Sequence, residues 1–284
     1  MPSKPQLSGK RALVTGASSG IGAAIAKILA DLGVHLVVTA RRRHALDALA
    51  SECTTKGVKV EVVTADLGTA GAAQELWTAA TAGGPIDILI NNAGFGYFSG
   101  FADADWARDS ELVQLNVTSL VELSRRFVDS RTRASDPDRA YLVNIASIGA
   151  YQSVPNFAVY AASKAFVRNF TEAVHDELAR ARSPISATCV CPGGTMTEFH
   201  AAAGAGDYGW LANHSMMTAE AVARIAIKAM CKSKRTVVTG LINKISCFAV
   251  RLVPRWLASW VAGRVLGRPR GALPSRSAIA AAEK

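Results

Sequence analysis

The chain has 284 residues, half of them hydrophobic and 19% charged, which describes a soluble globular protein with a sizeable core and excludes a fibrous or disordered chain. The net charge of +10 is unevenly placed: residues 224–284 carry thirteen Lys or Arg against the single acid Glu283, a net +12, and the remainder sums to −2, so no nucleic-acid-binding body is expected. No apolar stretch reaches the ~18–20 residues of a membrane-spanning helix and no signal-type segment precedes the first strand-like run, so cytoplasmic residence is expected.

Short apolar runs at residues 11–15, 35–39, 58–64, 86–90, 141–146, 185–190 and 236–239 alternate with helical patterns, among them 21–32, 70–80, 111–129 and 156–181. Continuous apolar strands separated by helices predict an α/β fold, a doubly wound seven-stranded parallel sheet covered on both faces. That unit fills residues 1–240, an amphipathic helical extension follows over 241–267, and 268–284 has the composition of a disordered tail. The cysteines Cys53, Cys189, Cys191, Cys231 and Cys247 are scattered. Only Cys189 and Cys191 are close, one residue short of a metal-knuckle spacing and with no histidine beside them, so buried reduced thiols and no metal are expected.

Between the first strand and the first helix runs Thr15-Gly16-Ala17-Ser18-Ser19-Gly20-Ile21-Gly22. Glycines there let the backbone turn tightly and approach a pyrophosphate, whose charge meets the helix N-terminus. Further on, Tyr160 and Lys164 stand four residues apart, one helical turn, on one face. A lysine beside a phenol stabilises the phenolate and brings an otherwise poor acid toward the neutral range. Ser147 lies upstream at the end of an apolar run.

Taken with Asn91-Asn92-Ala93-Gly94 and Cys191-Pro192-Gly193, this set resembles the short-chain dehydrogenase/reductase family, from about residue 8 to residue 240. The resemblance implies a Rossmann sheet and an enzyme that moves a hydride between a nicotinamide cofactor and a carbonyl or secondary alcohol. It assigns Gly16, Ser18, Ser19, Gly20, Ile21 and Gly22 to the phosphate turn, and Asp66 and Leu67 to the adenine edge. Asn91, Asn92, Ala93 and Gly94 fall to the segment that lines the adenosine side and stabilises the central sheet, and Pro192, Gly193, Thr195 and Thr197 border the nicotinamide. Strand two ends in Ala40-Arg41-Arg42-Arg43 with no acid, which favours a 2′-phosphate over free ribose hydroxyls and hence NADP(H), with Arg41 as principal contact and Arg42 in support.

The same resemblance implies that Tyr160 exchanges a proton with the substrate oxygen. Lys164 lowers the tyrosine pKa and bonds the nicotinamide ribose, and Ser147 polarises the carbonyl. Asn116 kinks its helix and anchors a water relay. Residues 195–217 stand where the family has a substrate lid, with Phe199, Tyr208 and Trp210 as apolar lining, and the segment from Cys191 resembles a bacterial subgroup of broad NADP-dependent reductases. The expected activity is reduction of a hydrophobic ketone. A 3-oxoacyl-carrier-protein or 3-oxoacyl-CoA reductase and a cofactor-sensing binding protein without turnover are the alternatives. A homodimer or homotetramer is expected through helices 111–129 and 156–181.

In the extension, Leu241, Ile242, Ile245, Phe248, Ala249, Leu252 and Val253 fall on one side of a helix and Asn243, Lys244 and Arg251 on the other. Pro254 breaks it, and a second helix carries Trp256, Leu257, Trp260 and Val261 on a flank interrupted by Arg264. Such basic helices can lie on an anionic membrane surface. The interrupted second stripe instead favours protein neighbours, with both helices packed on the catalytic domain or covering the partner subunit's active-site mouth.

Overall fold

The computed structural model describes residues 7–133, 138–196 and 216–266. Seven parallel strands form one sheet in the order β3-β2-β1-β4-β5-β6-β9: β1 is Arg11–Thr15, β2 His35–Ala40, β3 Val60–Thr64, β4 Ile88–Asn91, β5 Ala140–Ile145, β6 Ile185–Cys191 and β9 Thr236–Val238. Two further short strands, β7 (Thr195–Met196) and β8 (Met217–Thr218), pair with each other. The helices are α1 (Gly20–Asp31), α2 (Arg43–Thr54), α3 (Ala72–Ala82), α4 (Trp106–Val113), α5 (Leu120–Arg133), α6 (Ala158–Arg180), α7 (Ala219–Cys231), α8 (Leu241–Ala249) and α9 (Arg255–Leu266).

Side chains of a strand alternate between faces, so each buried strand feeds two cores. Ala12, Val14, Ile88, Ile90, Tyr141 and Val143 point to the core built with α1, α2 and α7, where Ile25, Leu29, Leu46 and Met230 are buried. Leu13, Leu89, Ala140 and Leu142 point to the other core, with Trp77 of α3, Phe127 of α5 and Leu178 of α6. A sheet buried on both faces has no room for polar alternation, which is why its strands read as apolar runs.

Two of those runs are longer than their strands. Val58 and Ile86 are buried yet precede β3 and β4, because the chain enters the core before the ladder bonds begin. Helices α4 and α5 are one continuous rod interrupted by a π-helical stretch, Gln114–Ser119, with Asn116 inside it.

The extension forms α8 and α9 where the periodicity places them, separated by a 3₁₀ turn and Pro254. Both helices pack on the catalytic domain, but through the side opposite most of their large apolar residues. Leu241, Ile245, Phe248 and Leu252 are exposed, while Asn243 and Cys247 are buried. On α9 the contacts to the body come from small residues, Ala258 and Ala262, and Trp256 and Trp260 face outward. The 268–284 tail and the aromatics Phe199, Tyr208 and Trp210 lie outside the described residues.

Candidate active site

Strands β1 and β4 are sheet neighbours although their helices lie on opposite faces, so a crevice opens at their C-terminal ends, where open α/β sheets bind ligands. A cleft of about 580 Å³ occupies that place. At one end is the Gly-rich turn. Gly16 (φ +65°) and Gly20 (φ +56°) adopt the left-handed backbone that side chains disfavour. A Cβ on Gly16 would lie 2.8 Å from Ala93 Cα, and one on Gly22 would overlap the Gly16 carbonyl and the Asn92 amide. The turn is bolted to β4: Asn92 Nδ2 donates to Thr15 O (3.0 Å) and Gly16 O (3.1 Å), while Thr15 Oγ1 accepts from the backbone N–H groups of Asn92 and Ala93. The N-cap residue of α1, Ser19, makes no side-chain cap bond, so the helix N-terminus faces the cleft with backbone donors for an anion.

Next to the turn, Arg42 Nη2 donates to Ser18 Oγ at 3.3 Å, and both residues line the cleft. Arg41 lines it too, but its guanidinium is paired with Glu111 (3.4 Å) and Asp66 (4.0 Å), so the fold supplies carboxylates that strand two itself lacks. Arg43 does not join them; it opens α2 and pairs with Asp47 one turn on (2.8 Å).

At the other end the chemistry-bearing side chains meet. Ser147 caps the 3₁₀ turn Ile148–Tyr151 and its Oγ accepts from Gly149 N at 3.1 Å. A Cβ built on Gly149 would lie 3.5 Å from Ser147 Oγ and 3.9 Å from Tyr160 Cε1, so serine and tyrosine converge on one point. Lys164 is buried and its Nζ donates to Ile145 O (2.9 Å) at the end of β5. Burial holds its pKa down at about 8. The Cys189 and Cys191 sulfurs lie 3.7 Å apart, and their hydrogen bond, with burial, keeps the Cys189 thiol protonated.

Asn116 does not line the cleft. Its Oδ1 accepts from Phe95 N (3.1 Å) and its Nδ2 donates to Phe95 O (2.9 Å) and Ser163 Oγ (3.1 Å). A Cβ on Gly94 would lie 2.9 Å from Asn116 Oδ1 and 3.2 Å from Lys164 Nζ, so the two side chains meet behind that glycine.

Of the expected contacts, Gly16, Ser18, Ser19, Gly20, Ile21, Arg41, Arg42, Asp66, Leu67, Asn92, Ala93, Gly94, Ser147, Tyr160, Lys164, Pro192, Gly193 and Thr195 line the cleft. Gly22 and Asn91 do not. Gly22 packs against the back of the turn. Asn91 is buried, donating to Ser124 Oγ (3.0 Å) and Asn144 Oδ1 (2.9 Å), and so ties β4 to β5 and α5. Thr197 lies outside the described residues.

Residues that motif reading missed shape the reacting end. Phe98 stacks on Phe157 (centroids 4.1 Å apart) and Phe157 on Tyr160 (4.2 Å), an aromatic ladder ending at the phenol. Gly96 lets the backbone reach that ring: a Cβ there would overlap Tyr160 Cδ2 and lie 2.8 Å from its Cγ. A second glycine two residues after Gly94 was the available signal. Phe95, Val154 and Met216 complete the apolar wall and belong to no motif.

The profile of the short chain dehydrogenase family matches residues 10–207. The chain is 36% identical over 196 residues to a glycine betaine reductase of Emericella nidulans, a match covering 69% of this chain and 15% of that much longer protein. Among solved structures, a short-chain dehydrogenase from Sphingobium yanoikuyae in complex with NADPH is 28% identical with a TM-score of 0.74, covering 93% of this chain and 98% of that one. A 7β-hydroxysteroid dehydrogenase is 26% identical with a TM-score of 0.80, covering 90% and 97%. The chain belongs to the short-chain dehydrogenase family of oxidoreductases.

Proposed function

We propose that this member of the family is a cytoplasmic NADP(H)-dependent carbonyl reductase acting on a hydrophobic ketone. The observation that carries the reading is the convergence of Ser147, Tyr160 and Lys164 at the apolar end of a cleft whose far end holds Arg41 and Arg42. The glycine turn, with no space for Cβ atoms at Gly16 and Gly22 and the α1 N-terminus behind it, fits a pyrophosphate. Arg42 beside Ser18, with Arg41 next to it, fits a 2′-phosphate. The NADPH complex of the Sphingobium relative supports that choice. When bound, the cofactor supplies the hydride.

The residues supply the rest. Ser147 Oγ already accepts a bond from Gly149 N–H, which leaves its hydroxyl hydrogen to meet the substrate oxygen. Tyr160, fixed by ring stacking, delivers the proton to that oxygen as negative charge develops. Lys164 spends one donor on Ile145 O and keeps two, for the ribose and for the phenolate side. Asn116, held on both sides by Phe95, keeps the second Oδ1 lone pair for a water relay toward Lys164. The wall of Phe95, Phe98, Phe157, Val154 and Met216 excludes water and selects an apolar carbonyl, in keeping with the hydroxysteroid dehydrogenase among the structural relatives.

Val113 and Phe166 remain exposed on α4 and α6, and Phe166 stacks on Phe170, so these helices are the surfaces through which we expect a homodimer or homotetramer. A panel of hydrophobic ketones, steroid ketones and 3-oxoacyl thioesters with NADPH tests the function. Turnover of ketones is expected. Turnover of thioesters alone would replace the reading by 3-oxoacyl reduction, and NADPH binding without any turnover would replace it by cofactor sensing.

A further inference from the structure

We infer that α8 and α9 dock this protein on an anionic lipid surface. Leu241, Ile245, Phe248, Leu252, Trp256 and Trp260, along α8, the 3₁₀ turn after it and α9, are between 54 and 72% exposed. Solvent-facing side chains of this size along two adjoining helices are not what an isolated soluble body presents. The helices are nonetheless seated, because other residues hold them. Asn243 is buried against Gly193 and donates to Thr239 O (2.8 Å). Ala262 packs with Val154 and Ala161, and Gly263 lies against Pro155, where a Cβ would be 3.0 Å from Pro155 Cγ. The outward apolar side is thus fixed in place rather than awaiting rotation into the core.

Charge identifies what covers it. From residue 241 to 266 the basic groups are Lys244, Arg251, Arg255 and Arg264, with no Asp or Glu. Arg264 lies over the Trp260 ring, 3.9 Å from its centroid, so cation and indole sit together as they do at a headgroup boundary. A second copy seated on this face about a two-fold axis would bring these cations against themselves with no acid on the face to pair them. An anionic bilayer offers apolar depth and negative charge together. No helix among the described residues is long and apolar enough to cross a membrane, so the contact is peripheral. Val154, in one cluster with Ala262 of α9, also lines the cleft, so the seat of α9 adjoins its apolar end.

The test is sedimentation of the full chain with phosphatidylcholine vesicles, with and without roughly one part in four of phosphatidylserine. Binding to the anionic vesicles is expected at least about tenfold above the neutral ones, weakened by salt, and lost in Ile245→Glu/Phe248→Glu. NADPH binding, followed by nucleotide fluorescence, should be unchanged in that variant and reports folding independently of turnover. Should the variant fail to fold, quenching of native-chain tryptophan emission by brominated lipid replaces it. Absence of binding or of quenching overturns the inference, as does binding that the variant retains. Loss of a stable dimer in the variant, with no vesicle binding by the native chain, would assign the face to a second copy instead.

Discussion

The sheet body and the α8–α9 pair use apolar residues in opposite ways. In the body, Ile25, Leu29 and Leu46 are buried against strands that alternate Ala12, Leu13 and Val14 between two cores. In the pair, Asn243, Cys247, Ala258 and Ala262 make the contact while Ile245, Phe248, Trp256 and Trp260 face out. The body's helices and α8 share a helical apolar period, and α9 shows almost none. Periodicity therefore names a face, and only the neighbours decide whether that face looks inward.

The sharpest way to break the comparison is to weigh one side chain from each region. Leu29→Ala should cost about 2–5 kcal/mol in urea denaturation, the loss of a fully buried leucine plus its cavity. Ile245→Ala should stay within about 0.5 kcal/mol; a cost near that of Leu29 would mean the face is covered within the chain. A second contrast is electrostatic. Lys164 has a folded pKa near 8 against an ordinary 10.5, so between those values the unfolded chain binds the proton and the folded one does not. Its contribution to stability therefore rises with pH across that window, by up to about 3 kcal/mol. Buried thiols such as Cys247 oppose it at high pH, so the readout is the difference in pH–stability curves between the native chain and Lys164→Met without cofactor. A flat difference would contradict the burial of a titrating amine. Third, Gly96→Ala should lower kcat at least about tenfold by displacing the Tyr160 ring, with the melting temperature and NADPH affinity close to native. An unchanged kcat would show that the close approach is not needed. The smallest effect belongs to the rim of the cleft: Arg41→Ala should raise the KM for NADPH roughly tenfold and leave that for NADH nearly unchanged. Equal use of the two cofactors by the native chain would remove the phosphate assignment.

The body was legible because its constraints are local. A turn that forces positive φ at Gly16 and Gly20 writes glycine into the sequence, and four-residue spacing puts Tyr160 and Lys164 on one face. What stayed hidden depends on residues brought together from far apart. Of the two roles expected of the segment at Asn91, Asn92, Ala93 and Gly94 take the cleft, while strand alternation turns the Asn91 amide into the core toward Asn144 and Ser124, where it stabilises the sheet. Arg41 looked unopposed because no acid ends β2; Asp66 and Glu111 reach it from β3's end and α4. Phe98, Phe157 and Gly96 carry no motif, since stacking on Tyr160 is a tertiary relation. The inward side of α8 and α9 was hidden for the same reason.

Rapid-mixing measurement of NADPH oxidation by an apolar ketone, in the native chain and in Tyr160→Phe, tests the central assignment most directly. The phenylalanine keeps the stacked ring and removes only the proton carrier, so turnover should vanish while NADPH affinity stays within about twofold of native. Residual turnover above about a tenth of native would contradict the account and place the acid elsewhere.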